Sequence, residues 1–114
     1  MSVIDKTVLR EAPVQSDPFD HVIAPGLVCG EHLAAVHRDF PKMDSPGSVP
    51  LLVLKYGPTF GELIESLRSS ESEKIFSEKF DLDLKGCPTM VTVRGRCRAR
   101  DGRIHTDSTE KIVT

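Results

Sequence analysis

The sequence contains no tryptophan, one tyrosine (Tyr56) and three cysteines (Cys29, Cys87 and Cys97). So few flat rings with a polar edge leave little on which bases could stack, which argues against single-strand nucleic-acid binding. No charge of one sign dominates. Fifteen Lys and Arg face 17 Asp and Glu, a net charge of −2, and the global basic field of a nucleic-acid protein is missing. No purely apolar run exceeds four residues, 51–54 being one such run, where a membrane helix needs about 20. The start, Met1-Ser2-Val3-Ile4-Asp5-Lys6, lacks the apolar centre of a signal peptide. The cysteines are odd in number and form no Cys-x-x-Cys. They are expected as buried or half-buried thiols in a reducing cytoplasm. At 114 residues and 12.6 kDa the chain holds one domain or part of one. Multi-domain enzymes such as kinases or dinucleotide-dependent dehydrogenases do not fit.

What is present suffices for a modest core. Leu, Ile, Val and Phe make up 32 of the 114 residues, above the roughly one-fifth below which chains tend to stay disordered. Residues 1–18, with Pro13 and Pro18, read as an irregular lead-in. Residues 21–24 read as a short strand stopped by Pro25-Gly26, and 31–39 as a short helix stopped by Pro41, with Leu33 and Val36 on one face. Pro41, Pro46, Gly47 and Pro50 mark 41–50 as a loop. Residues 51–54 suit either a strand or a buried turn. Thr59-x-x-Glu62 has capping-box spacing, and Phe60, Leu63, Ile64 and Leu67 follow as an apolar stripe. Ser70-x-x-Glu73 repeats the signal ahead of Ile75, Phe76 and Phe80.

After residue 80 the period shifts from about 3.6 to 2. Phe80, Leu82 and Leu84 alternate with Asp81, Asp83 and Lys85, and Gly86-Cys87-Pro88 interrupts. Val91, Val93, Gly95, Cys97 and Ala99 then fall on one face, and Met90, Thr92, Arg94, Arg96, Arg98 and Arg100 on the other. Asp101-Gly102 is a two-residue hairpin signal, with residues 103–107 returning. Residues 111–114 look like the opening of another strand. The expected organisation is α+β, with a helical lead-in over 1–80 and the first antiparallel strands over 81–114. An apolar strand that ends as it starts predicts the front part of a larger fold, or an open edge through which the chain self-associates.

Two His-x-Asp triplets occur. His37-Arg38-Asp39 lies at a helix end, where residues two apart point roughly 200° from each other and cannot chelate one ion. It also spells the kinase catalytic-loop triplet, but Asp44 stands where that motif needs Asn. His105-Thr106-Asp107 lies in a strand context, where residues two apart share a face about 7 Å from each other. That spacing suits two positions of a two-His-one-carboxylate face, the ligand set of non-haem Fe(II).

The run from Arg100 to Ser108, with Lys111-Ile112-Val113-Thr114 after it, resembles the iron-binding segment of 2-oxoglutarate-dependent Fe(II) oxygenases, and most the bacterial prolyl-hydroxylase-related group. Residues 80–84 and 90–95 are similar to that group's lead-in. The resemblance is strong from about residue 86 onward and diffuse over 19–85. It implies a double-stranded β-helix, or jelly roll, of which this chain holds the first part. It implies Fe(II) on His105, Asp107 and a later histidine, with 2-oxoglutarate as cosubstrate and O2 as oxidant. The outcome would be hydroxylation of a C–H bond coupled to decarboxylation to succinate. The family's second histidine and its 2-oxoglutarate-gripping Arg or Lys lie beyond the seven residues that follow Asp107. His21, His32 and His37 precede the motif and match no family position. The 114 residues are therefore expected to be an N-terminal portion, inactive alone.

A second reading is non-enzymatic. Arg94, Arg96, Arg98 and Arg100 crowd one strand face, and like charges side by side need an answer. That answer is either solvent with acids such as Glu71, Glu73, Glu78, Asp81 and Asp83, or a bound anion, which arginine's fork suits. On this view the chain is an anion-binding or partner-pairing module.

Overall fold

Asp5 starts the first helix, α1 (Lys6–Glu11). Its carboxylate accepts from the backbone N–H groups of Thr7 (3.0 Å) and Val8 (3.3 Å), two of the donors a helix start leaves open. Pro13 holds Ala12 in extended backbone and so ends the helix. In the computed structural model, which describes residues 2–44, 46–96, 98–99 and 109–114, the apolar residues of this stretch are buried or half-buried while most of its polar ones stay open. Val3 and Ile4 keep 1% and 2% of their surface. The Asp5 N–H donates to the Leu27 carbonyl (2.8 Å) and the Cys29 N–H to that of Val3 (2.9 Å). An irregular lead-in over 1–18 is thus corrected: Val3, Ile4 and Leu9 are core residues, on a segment too short for its periodicity to register.

Two short strands follow, β1 (Val14–Gln15) and β2 (His21–Val22), paired antiparallel with Val14 opposite Val22. The helix α2 (Gly30–Asp39) ends where Pro41 forces Phe40 into extended backbone. It buries Val36, but Leu33 stays 44% exposed, so only one of the two expected apolar positions faces the core. A third strand, β3 (Ser48–Pro50), lies inside the stretch expected to be loop. Residues 51–53 form a 3-10 turn, with Leu51 buried and Leu52 and Val53 facing outward. This settles the choice between strand and buried turn.

The helices α3 (Pro58–Leu67) and α4 (Ser70–Phe80) match the two expected over 59–80. Their caps differ. Gly57 is the N-cap of α3 and Pro58 its first residue, so Thr59 lies inside the helix and the capping box is unused. Ser69, not Ser70, caps α4, accepting from the Ser72 N–H (3.2 Å). The Ser72 hydroxyl is fully buried and donates to the Ser66 carbonyl (2.6 Å). We predict that Ser69→Ala costs about 1 kcal/mol in urea unfolding, the usual cost of a lost cap. Exposed Ser70→Ala should change stability by less than about 0.5 kcal/mol. Equal effects of the two would contradict the assignment of the cap.

Alternation over 80–84 does not make a strand. Phe80 closes α4, and Asp81 takes the left-handed conformation (φ 52°, ψ 51°) that favours short polar residues or glycine at helix ends. Leu82 N–H then donates to the Ser77 carbonyl (2.9 Å), and Cys87 N–H to that of Leu84 (3.0 Å), so these residues spend their backbone groups in turns. The strand β4 (Thr92–Arg94) pairs antiparallel with β3, Val49 opposite Val93. Residues 111–114 form no strand, and Ile112 and Val113 are 55% and 43% exposed. The open strand edge expected there is corrected accordingly. The Asp101-Gly102 turn and the strand returning from it lie outside the described residues.

The fold is α+β, with two antiparallel sheets of two strands each. The strands are interleaved with the helices rather than gathered after residue 80. The core joins Val3, Val36, Leu51, Phe60 and Val93, with Leu63 and Ile64 packed against it. Accessible surface is 8765 Å2, above the roughly 6,200 Å2 of a compact chain of this mass. The core is thin, and each of its side chains matters accordingly.

Candidate functional site

Strand β4 leads toward the His-x-Asp motif. Its sidedness is as the alternation predicts over residues 91–96, where Val93 is buried, Val91 and Gly95 are half-buried, and Thr92, Arg94 and Arg96 face solvent. The strand stops at Arg94, however, and Ala99, expected on the inner face, is exposed in a turn. The ladder with β3 fixes this. The Leu51 N–H donates to the Val91 carbonyl (3.1 Å) and the Gly95 N–H to that of Gly47 (2.8 Å), holding the strand's apolar face on the core. The proposed ligands His105 and Asp107 lie outside the described residues, as do Cys97 and Arg100.

Of the arginine ladder, Arg94, Arg96 and Arg98 are exposed. Glu71, one acid expected to answer them, is engaged elsewhere. Its carboxylate accepts from Lys6 Nζ (2.9 Å) and Arg10 Nη2 (3.4 Å), tying α4 to α1. The hydrogen bond from Lys6, with its charge, holds the Glu71 carboxyl below the ordinary range. The Lys79 ammonium reinforces the same seam, donating to the carbonyls of Arg10 and Ala12 at the end of α1.

The described histidines are dispersed. His21 Nδ1 lies 2.7 Å from the Phe19 carbonyl on β2. His32 Nε2 is buried without a hydrogen-bond partner, 3.6 Å from a Glu31 oxygen. His37 is in the last turn of α2. No three His, Cys, Asp or Glu residues among the described ones converge as a metal site. Cys29 and Cys87 are free, half-buried thiols.

The carboxylate of the other triplet has a structural task. Asp39 is 8% exposed. Its Oδ1 accepts from Arg38 Nε (2.8 Å) and its Oδ2 from the Thr59 N–H (2.8 Å). It thereby caps α3 from a different helix. The Arg38 hydrogen bond first, then the Thr59 N–H, bring its carboxyl down to about 2. The residues 38–40 and 53–57 also bound a cleft, with Lys42 on its rim. Sequence reasoning missed it because its cations stand singly in separate segments and form no basic run.

Comparisons with protein-family models, with curated proteins and with solved structures return no match.

Proposed function

We propose that this chain carries part of an Fe(II)- and 2-oxoglutarate-dependent oxygenase, with His105 and Asp107 as two of the iron's protein ligands and β4 as a leading strand of a jelly roll. The observation that carries the reading is the His105-Thr106-Asp107 spacing within a run, from about residue 86, that is similar to the iron-binding segment of that family. The alternating burial of residues 91–96 fits a strand lead-in, although β4 itself ends at Arg94, eleven residues before His105. When bound, the iron supplies the activation of O2 and cosubstrate. The chain's own contribution is to hold an imidazole and a carboxylate on one side of a strand.

Anaerobic equilibrium dialysis of the 114-residue chain with Fe(II) tests this. We expect weak binding of one ion, weakened about tenfold or more by His105→Ala and by Asp107→Ala and unchanged by His37→Ala. Since His21, His32 and His37 all precede the motif, these 114 residues by themselves should release no succinate from 2-oxoglutarate above an iron-only blank. Binding indifferent to both substitutions would overturn the proposal.

A further inference from the structure

The cleft between the end of α2 and residues 53–57, about 580 Å3 in volume, combines two kinds of wall. One is cationic. Arg38, Lys42 and Lys55 line it, and all three are exposed. Among the described residues neither lysine has an ion-pair or hydrogen-bond partner, and Arg38 engages Asp39 through Nε alone. The two lysines thus leave positive charge on the cleft that a bound anion would offset.

The other wall is aromatic. Buried Phe60 meets Phe40 edge-on (centroids 5.1 Å, 78°) and Tyr56 likewise (5.4 Å, 66°). Both outer rings stay partly open, Phe40 at 46% and Tyr56 at 42% exposure. Both rings are thus held by Phe60 and keep exposed surface. Asp39, the one acid lining the cleft, does not oppose an anion, because Arg38 and the start of α3 already answer its charge.

We propose that this cleft binds a small organic phosphate with a flat apolar body. Arg38, Lys42 and Lys55 take the phosphate, and Phe40 and Tyr56 take the body. The cleft is broad and open to solvent, so a ligand would lie against it rather than be enclosed. With Arg38 paired to Asp39, the charges of Lys42 and Lys55 remain to be offset, which suits a dianionic phosphate better than a single carboxylate, and the unused Arg38 nitrogens add hydrogen-bond donors. The site is independent of the His-x-Asp motif and does not rest on the oxygenase reading.

Isothermal titration of the whole chain with phenyl phosphate, inorganic phosphate and benzoate decides the matter. Phenyl phosphate should saturate one site about tenfold more tightly than either other probe. Lys42→Gln with Lys55→Gln should weaken it by about tenfold or more, and added salt should weaken it in the parent chain. Tyr56→Leu should weaken phenyl phosphate several-fold and leave inorganic phosphate unchanged. Both lysines are exposed, so a thermal midpoint equal to the parent's should confirm that the double variant folds, and each single variant gives a second reading of the same loss. Absence of saturable phenyl phosphate binding, equal affinity for inorganic phosphate or benzoate, or indifference to loss of the two lysines would each overturn the proposal.

Discussion

Phe60→Ala should leave the chain largely unfolded at 37 °C. Phe60 is 4% exposed, and its cluster draws Val3 from the N-terminal segment, Val36 from α2, Leu51 from the 3-10 turn and Val93 from β4. Its cluster therefore joins four separate parts of the chain. Truncating a buried Phe to Ala costs about 3–5 kcal/mol. Edge-on ring pairs add roughly 0.5–1.5 kcal/mol each, and here there are two. Domains of this size are stable by about 5–15 kcal/mol in total, and the thin core argues for the lower end. A circular-dichroism melt should show the midpoint lowered by about 20 °C, or no cooperative transition at all. Phe60→Leu, which keeps most of the volume, should lose much less. A midpoint within about 5 °C of the parent for Phe60→Ala would mean that the core is organised around something else.

What the sequence made legible follows the same physics. The helices α3 and α4 were readable because an apolar stripe and a strand ladder have different periods, and Phe60, Leu63 and Ile64 carry the helical one plainly. Their exact starts were not readable. The donor exposed at Thr59 is satisfied by Asp39, twenty residues upstream, and no local window contains that contact. The strand β3 was hidden by Pro46, Gly47 and Pro50, which signal turns; β4 supplies the partner that makes residues 48–50 extended. The opposite error occurred at 80–84, where alternation alone suggested a strand although Asp81 ends a helix and the following backbone closes turns. On the functional side, the His105 and Asp107 spacing lies within one segment, so the oxygenase proposal rests on sequence alone. The cationic cleft has no such local signal, because residues 38–42 and 53–57 meet only once α2 and the 3-10 turn are in place.

Gly57→Ala should destabilise the chain by about 2 kcal/mol, through Asp39. Gly57 has φ −83°, a value any residue adopts, so the requirement for glycine here is space alone. A Cβ on Gly57 would lie 2.3 Å from Asp39 Cγ, 2.5 Å from its Oδ1 and 2.6 Å from its Cβ. The Asp39 backbone is fixed as well, its carbonyl accepting from the Gly57 N–H (2.9 Å). The carboxylate must therefore leave the start of α3, or α3 must shift. Overpacking of this kind costs about 1–3 kcal/mol, a midpoint drop of about 10 °C. The pH dependence identifies the cause. Asp39 is held at about 2, against an ordinary 3.8, so its charge stabilises the fold above about pH 4. That contribution is lost as pH falls through about 2. Asp39→Asn should thus be less stable than the parent at pH 7, with the difference shrinking towards pH 2. Glu71 is also held low, but it is common to both chains and cancels in the difference. If Gly57→Ala acts by displacing Asp39, its own deficit should shrink over the same range, and the double variant should lose less than the sum of the single ones. Urea midpoints at pH 7, 4 and 2.5 measure all of this. Additive losses, or a Gly57→Ala deficit that stays constant with pH, would show that the clash is relieved without moving the carboxylate.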